Sequence, residues 1–198
     1  METETNRIEA FSDGVFAIAI TLLILEIKVP SPEQGRLAAA LLRQWPSYLA
    51  FFLSFAYIGI MWMNHHRMFT HIRRSNDTLL LLNLLLLLGV TAVPYPTAVL
   101  ASTLGTGEQK TAAIFYNGVY VVIAIFFNVL WRYAVAHHLL DKEALASAAM
   151  ISRQYSAGPI VYLLCLALAW VDVRVSLAVN VLLAVYFALP PRMMGKST

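Results

Sequence analysis

Charged residues are scarce in this sequence. Asp, Glu, Lys and Arg make up 13% of its 198 residues, whereas a typical soluble domain carries about 25%. Hydrophobic residues make up 60%, which leaves too little polar surface to cover a globule in water. The composition therefore excludes an ordinary soluble domain and predicts a protein that is surrounded largely by lipid.

Cysteine is almost absent, and so is positive charge at the amino terminus. The single Cys165 lies in the apolar run Val161–Trp170, so no intrachain disulfide can form and a small buried side chain is expected. The first six residues, Met-Glu-Thr-Glu-Thr-Asn, are acidic and polar, whereas a signal peptide opens with basic residues. We expect the first hydrophobic segment to remain in the mature protein.

Motifs of enzymes and of nucleic-acid-binding proteins are also missing. The chain has no nucleophile–base–acid arrangement, phosphate-binding loop or nucleotide motif, so we expect no enzyme and no cofactor. Its five histidines lack cysteine or carboxylate companions at ligand spacing, which argues against a metal site. The net charge of +3 is spread between hydrophobic runs, as in membrane loops, and does not form a basic patch for nucleic acid.

Six apolar segments account for residues 1–198 as a single domain. Barrel strands would alternate apolar and polar residues, and these segments do not, so each is predicted to be a transmembrane helix of an all-α integral membrane protein. The predicted bounds are Ile8–Ile27, Trp45–Met63, Thr78–Val93, Thr111–Trp131, Tyr155–Val171 and Val173–Leu189.

Prolines and charges mark several of these boundaries. Pro94–Pro96 is predicted to end the third segment, and Pro190-Pro191 the sixth. The fifth and sixth segments meet around Asp172, where we predict a tight surface turn because one continuous helix would overrun the bilayer. The preceding connection includes Asp141–Met150, which is predicted to form a short surface helix.

Lysine and arginine are divided unequally between the two sides of such a layout. Nine lie on the side of the amino terminus and five on the other. Because cytoplasmic loops carry the excess of these residues, we expect both termini in the cytoplasm of a multi-pass protein in the cell membrane.

The first predicted helix opens with an unusual concentration of polar residues, including Arg7, Glu9, Ser12 and Asp13. An acid two turns inside a membrane helix costs free energy unless it is compensated. One interpretation is that the acids are interfacial charges that interact with the helix dipole. The alternative, which the position of Asp13 favours, is a buried polar network with other helices.

Partners for this network should come from other segments. Arg7 and Asp13 lie about 120° apart around a helix, so they do not form one stripe. The candidate partners are Asn64, His65, His66, Asn83 and Trp170.

The rest of the first helix is apolar. A stripe with a spacing of three and four residues comprises Phe11, Val15, Ile18, Leu22 and Leu25, with Thr21 beside it. In lipid, such periodicity does not distinguish a pore-lining face from a lipid-facing one.

Two motifs carry a resemblance to a known family. The segment Arg7–Asp13 reads R-x-x-x-F-S-D, and Trp62–Phe69 reads W-x-x-H-H-x-x-F. Both motifs, together with the six-helix layout, resemble the transmembrane protein 175 family, the potassium channels of endolysosomes and their bacterial relatives. In that family the first motif lies on the first helix and the second follows the second helix.

The resemblance implies a homotetramer of six-helix subunits whose first helices line a central pore for potassium. By position, Ile18, Leu22 and Leu25 would form an aliphatic constriction, and Thr21 would supply a hydroxyl for selectivity. The expected partners of the chain are its own copies, membrane lipid and monovalent cations.

The resemblance also implies a structural role for the signature. Arg7, Phe11, Ser12 and Asp13 would hold the first helix in place through contacts to histidine and tryptophan positions. The candidates for those positions are His65, His66 and Trp170.

These features lead to the hypothesis of a potassium-permeable cation channel with weak to moderate selectivity. No T-V-G-Y-G-like segment occurs in the chain, so a backbone-carbonyl filter is excluded, whereas a narrow apolar ring can gate ions by dewetting. The alternative is a proton-coupled secondary transporter or proton leak pathway that uses Asp13 and the histidines. The absence of an ionisable residue from the centre of the first helix favours the channel. A structural membrane protein without transport is a third alternative.

Overall fold

The computed structural model describes residues 3–30 and 36–188, and the regular structure within those ranges is helical. The helices are α1 (Thr3–Leu22), α2 (Leu37–Arg43), α3 (Trp45–His71), α4 (Asp77–Ala92), α5 (Pro94–Thr103), α6 (Gln109–Ala136), α7 (Lys142–Val171) and α8 (Val173–Ala188). A 3₁₀ turn over Leu23–Glu26 continues α1. The prediction of an all-α protein is confirmed.

Several of these helices are long and apolar enough to cross a membrane. Five stretches of the described residues have this character: Thr5–Glu26, Trp45–His71, Asp77–Thr103, Gln109–Ala136 and Ala148–Val171. A sixth apolar helix, Val173–Tyr186, is shorter. The described chain therefore matches the predicted membrane protein. The expected stop at Pro190-Pro191 lies outside the described residues.

The third predicted helix ends next to its prolines, as the sequence predicted, because α4 stops at Ala92, but the apolar stretch continues beyond them. α5 follows α4 directly after Val93, and the two form one apolar stretch, Asp77–Thr103. Pro94 lies in the first turn of α5, where a missing backbone N–H leaves no helical hydrogen bond unmade. The prolines therefore interrupt the span without ending it.

Several predicted boundaries are wrong because the helices extend beyond their hydrophobic runs. α3 continues past Met63 to His71, and α7 begins at Lys142 rather than Tyr155. The predicted surface helix over 141–150 is the first part of α7. Asp141 caps it, since its Oδ1 accepts a hydrogen bond from the backbone N–H of Ala144 at 2.6 Å.

The tight turn predicted between the last two helices is present. α7 ends at Val171 and α8 begins at Val173. The carboxylate of Asp172 accepts hydrogen bonds from the backbone N–H groups of Arg174 and Val175, at 2.7 and 3.1 Å. An acid at a helix N-terminus satisfies unpaired donors and interacts favourably with the helix dipole.

The long helices form one bundle in which α1 packs against α3 and α4, while α7 packs against α6. Large aromatic side chains fill its interior, and Tyr57, Tyr116, Tyr120 and Trp131 are fully buried. At the amino-terminal end of the bundle, the backbone N–H of Arg73 donates to the Leu139 carbonyl at 2.9 Å. α1 lies at the edge of this bundle, so one of its faces is packed and the other is open.

Candidate functional site

The buried face of α1 follows the helical repeat. Its buried side chains are Thr5, Ile8, Ser12, Phe16, Ala19 and the first residue of the 3₁₀ turn, Leu23. Successive members are three or four residues apart, so they project to the same side of the helix and meet α3 and α4. Its polar members among the described residues are Thr5 and Ser12.

The opposite face of α1 is exposed and carries the residues predicted to form the constriction. The exposed fractions of Ile18, Leu22 and Leu25 are 60%, 42% and 61%. Thr21 is also exposed. We call these four residues the α1 stripe. Within the described part of the chain no other helix covers them, although large aliphatic side chains are usually buried or in contact with lipid.

The helix changes its geometry where the α1 stripe ends. Residues Leu23–Glu26 form a 3₁₀ turn, in which side chains three residues apart are eclipsed. Leu25 therefore projects to the same side as Leu22. The change of helix type therefore keeps Leu22 and Leu25 on the same face.

The Thr21 hydroxyl lies on the exposed side as well. Its Oγ1 donates a hydrogen bond to the Ile18 carbonyl at 2.9 Å. A hydroxyl that donates its proton to its own helix still offers the lone pairs of its oxygen. Thr21 can therefore present an oxygen acceptor from this face.

Ser12 joins α1 to two other helices through a chain of hydrogen bonds. Asn83 of α4 donates from Nδ2 to Ser12 Oγ at 3.0 Å, and its Oδ1 lies 2.9 Å from His65 Nε2 of α3. Ser12 in turn donates to the Ile8 carbonyl at 2.8 Å. Because Asn83 Oδ1 only accepts, His65 must donate from Nε2.

The three side chains that these hydrogen bonds connect are buried. The exposed fractions of Ser12, Asn83 and His65 are 0%, 2% and 0%, so water does not compete for their hydrogen bonds. Phe16 and Phe69 enclose the imidazole of His65, with ring centroids 5.4 and 4.5 Å away. The Ser12–Asn83–His65 network therefore fixes both the rotation of α1 and its distance from α3 and α4.

Two acids of the first helix, Glu9 and Asp13, find partners on α3. Trp62 donates from Nε1 to Asp13 Oδ1 at 2.8 Å, and His66 Nδ1 lies 3.0 Å from Glu9 Oε1. The indole and imidazole rings are stacked, with centroids 6.4 Å apart and planes inclined by 23°. These contacts provide the compensation that an acid in a membrane helix requires.

The second sequence motif lies within α3, not after it. Trp62, His65, His66 and Phe69 occupy positions i, i+3, i+4 and i+7 of this helix. They therefore share one face, and that face contacts α1. This placement explains why the two motifs occur together: they form opposite sides of one helix–helix contact.

Trp170 does not join this contact within the described residues. Its indole is 64% exposed, and Lys110 Nζ lies 5.0 Å from its ring centroid. In the described residues Trp170 lies away from the signature, because α7 carries it to the end of the bundle opposite the amino terminus, so its predicted contact stays a prediction. The tryptophan that reaches Asp13 is Trp62.

Two signature residues face outward with the α1 stripe. Arg7 is exposed, and Phe11 is 57% exposed. No hydrogen bond or ion pair joins the Arg7 side chain to another described residue. Their role in holding the first helix through histidine and tryptophan positions therefore stays a prediction.

Glu9 and Trp62 are site residues that were not assigned from the sequence. Their spacing in the sequence could have indicated that they belong to the site. Glu9 precedes Ser12 and Asp13 by three and four positions, and Trp62 precedes His65 and His66 in the same way. Each set therefore occupies one helix face.

Comparison with known proteins agrees with this geometry. Residues 7–94 match the family model described as "Endosomal/lysosomal potassium channel TMEM175". A protein named as a potassium channel from Chamaesiphon minutus is 50% identical over 193 residues, which cover 95% of each chain. The "Endosomal/lysosomal proton channel TMEM175" of Mus musculus is 47% identical over 98 residues, which cover 45% of this chain and 20% of that protein.

A solved structure shares the whole fold. The crystal structure of "a lysosomal potassium-selective channel TMEM175 homolog" from Chamaesiphon minutus superposes with a TM-score of 0.86 at 48% identity. The superposition covers 94% of this chain and 97% of that chain. Fold, signature contact and near-full-length identity agree, and the chain belongs to the TMEM175 family.

Proposed function

We propose that the protein is a potassium-permeable cation channel whose pore is lined by α1 from four subunits. The observation that carries the proposal is the division of α1 into two faces. One face is tied by buried hydrogen bonds to α3 and α4, while the other presents a bare row of aliphatic side chains. A helix whose buried face is fixed by hydrogen bonds can hold its exposed face in a constant position along a pore.

The α1 stripe would act as both gate and sieve. Ile18, Leu22 and Leu25 from four subunits would form successive apolar rings. Such rings exclude ions by dewetting when they are narrow and admit them when they are slightly wider. The exposed fractions of all three residues support this role, since none is needed to pack the subunit itself.

Selectivity would come from Thr21. Four hydroxyl oxygens at one level would replace part of the hydration shell of a potassium ion. Four oxygens are fewer than a carbonyl cage provides, so weak to moderate preference for potassium over sodium is expected. The relatives named as potassium channels support this choice of ion.

Assembly would use the groove between α1 and α3. This groove has a volume of about 340 Å³ and is lined by Asp13, Phe16, Ala17, Ile20, Gly59 and Trp62. A Cβ atom placed on Gly59 would meet no atom within 4 Å. Small residues let helices approach closely in membranes, so the groove suits a helix of a neighbouring subunit in a homotetramer.

The channel would lie in the cell membrane with both termini in the cytoplasm. Nine Lys and Arg residues fall on the side of the amino terminus and five on the other, which supports this orientation. Its partners would be other copies of the chain, membrane lipid and monovalent cations.

Proton transport is a second candidate function, because a vertebrate relative is named as a proton channel. In this chain Glu9 and Asp13 of α1 are engaged by α3, and no ionisable residue follows Asp13 on α1 before Glu26. A proton path along α1 would therefore have no titratable relay at its centre. The geometry favours ion permeation through a hydrated pore.

Flux measurements on proteoliposomes would separate the two functions. Under a potassium gradient with a protonophore, proton uptake reports potassium efflux; with valinomycin instead, it reports proton conduction. We expect Ile18→Ser to raise potassium flux about tenfold, equivalent to lowering a barrier by about 1.4 kcal/mol. Leu164→Ser is the matched control, because Leu164 is 59% exposed on α7, and it should leave flux unchanged. Proton uptake with valinomycin alone that exceeds potassium flux would overturn the proposal.

A further inference from the structure

A second cavity lies away from the α1 stripe, between α3, α6, α7 and α8. Its volume is about 420 Å³, which falls within the range of small-molecule sites. Residues from the signature contact do not line it. The cavity is therefore separate from the proposed pore.

The lining of this cavity is polar at one end and apolar along its walls. Asn64, Arg67 and Tyr155 lie at the end nearer the amino-terminal side of the bundle. The walls are mostly apolar and include Ile60, Met61, Ile123, Phe127, Val161 and Leu183. This distribution matches an amphiphile that has one polar head and one apolar chain.

Positive charge is uncompensated at the polar end. Arg67 is the one charged residue among the described lining residues. Its guanidinium forms no ion pair or hydrogen bond with another described side chain. Arg132 lies next to this end, where its guanidinium donates to Ser156 Oγ at 3.1 Å, beside the lining residue Tyr155. Both arginines therefore lack acidic partners in the described structure, and the cavity mouth favours an anion.

The cavity opens toward the outside of the subunit. Its exposed lining residues are Arg67 on α3, Ala157 on α7 and Tyr186 on α8. Further along α7, Ile160 and Leu164 are 59% exposed, as expected of a surface in contact with lipid. A ligand that enters by this route comes from the bilayer. Basic pockets between transmembrane helices are known binding sites for anionic head groups.

From these features we propose that the cavity binds an acyl chain of an anionic membrane phospholipid, with the lipid phosphate held by Arg67 at the mouth. The apolar walls bury the chain, and the guanidinium donates hydrogen bonds to the phosphate oxygens. The site is distinct from the proposed pore, and its occupancy does not depend on ion conduction.

Native mass spectrometry of the purified, assembled protein tests this site. The probes are phosphatidylglycerol and phosphatidylcholine with identical acyl chains, added in equal amounts. Wild-type protein should retain phosphatidylglycerol about tenfold more than phosphatidylcholine, and Arg67→Gln should abolish that preference. Arg74→Gln is the control: it removes the same charge from the same end of the bundle, at an exposed residue outside the cavity.

A second pair of variants tests the chain-binding part of the cavity. A Cβ atom on Gly158 would approach only Ala124 Cβ, at 4.0 Å, so side chains can be added there without moving the backbone. Gly158→Leu should fill the cavity and reduce retention of phosphatidylglycerol about tenfold, while Gly158→Ala should retain it. The proposal is overturned if Arg67→Gln behaves as Arg74→Gln does. It is also overturned if both lipids are retained equally by wild-type protein, or if a folded Gly158→Leu variant retains phosphatidylglycerol as wild type does.

Discussion

Trp62 donates a hydrogen bond from its indole Nε1 to Asp13 Oδ1 over 2.8 Å. This contact joins the two sequence motifs of the chain, one on α1 and the other on α3. It places a carboxylate within a membrane helix and supplies the donor that compensates it. The orientation of the α1 stripe follows from such contacts on the opposite face.

Replacing Trp62 with phenylalanine should loosen α1. Trp62→Phe keeps an aromatic ring but leaves Asp13 without its indole donor, at an expected cost of about 1–3 kcal/mol in stability. Thermal unfolding in detergent would measure the loss. Trp170→Phe is the control, because among the described residues the recorded contact of Trp170 is the cation–π contact with Lys110, worth about 0.5–1 kcal/mol. Equal destabilisation by both variants would contradict the assignment of Trp62.

The buried network predicts a specific effect at Ser12. Ser12→Ala leaves Asn83 Nδ2 buried without its acceptor, which should cost about 1–3 kcal/mol. Ser102→Ala is the matched control, since Ser102 is exposed and donates only to the Val99 carbonyl of its own helix. Its cost should stay within about 0.5 kcal/mol. Chemical unfolding of both variants measures these losses of stability. A loss for Ser12→Ala as small as that for Ser102→Ala would contradict the network.

The Thr21 hydroxyl should affect ion preference more than ion flux. Thr21→Val preserves the shape of the side chain but removes its oxygen, so the preference for potassium over sodium should fall toward unity. Thr91→Val is the control, because Thr91 is exposed on α4 and makes the same type of bond, to the Leu88 carbonyl at 2.9 Å. Reversal potentials under bi-ionic conditions report the change. An unaltered potential in Thr21→Val would remove Thr21 from the selectivity mechanism.

The groove between α1 and α3 predicts sensitivity of the assembly to side-chain size. Gly59→Leu should fit the isolated subunit, since a Cβ atom at Gly59 meets nothing within 4 Å, yet it should obstruct a neighbouring helix. We expect a shift from four copies of the 22.0 kDa chain toward single subunits, measured by light scattering. Gly107→Leu, at an equally open position between α5 and α6, should leave the mass unchanged. A tetramer that tolerates Gly59→Leu would place the interface elsewhere.

The membrane class and the polar anchor of α1 could be predicted from the sequence for a physical reason. Lipid does not solvate charge, so Ser12 and Asp13 inside an apolar segment already implied partners on other helices. His65 and Asn83 were among the candidates and do contact Ser12, directly or through one another. The exact pairing could not be predicted, because it depends on the rotation of α3 about its axis.

The remaining differences arose where the type of a single residue was given more weight than its position along the predicted helices. Trp170 was chosen for its residue type, although its place at the end of the fifth segment already put it far from Asp13. The helix end at Pro94 was predicted, and α4 does end at Ala92, but the apolar stretch continues because a proline in the first turn of a new helix is tolerated. The short α2, Leu37–Arg43, was not predicted, because its few residues show little helical periodicity.

The central claim is that the α1 stripe faces a water-filled pore, and thiol modification in proteoliposomes tests it most directly. The native Cys165 is buried, so wild-type protein provides an unreactive background. A charged, water-soluble thiol reagent should modify Ile18→Cys rapidly and block potassium flux. The same reagent should leave Leu164→Cys unmodified, because Leu164 is exposed to lipid. If Ile18→Cys reacted no faster than Leu164→Cys, or reacted without any loss of flux, α1 would not line the pore.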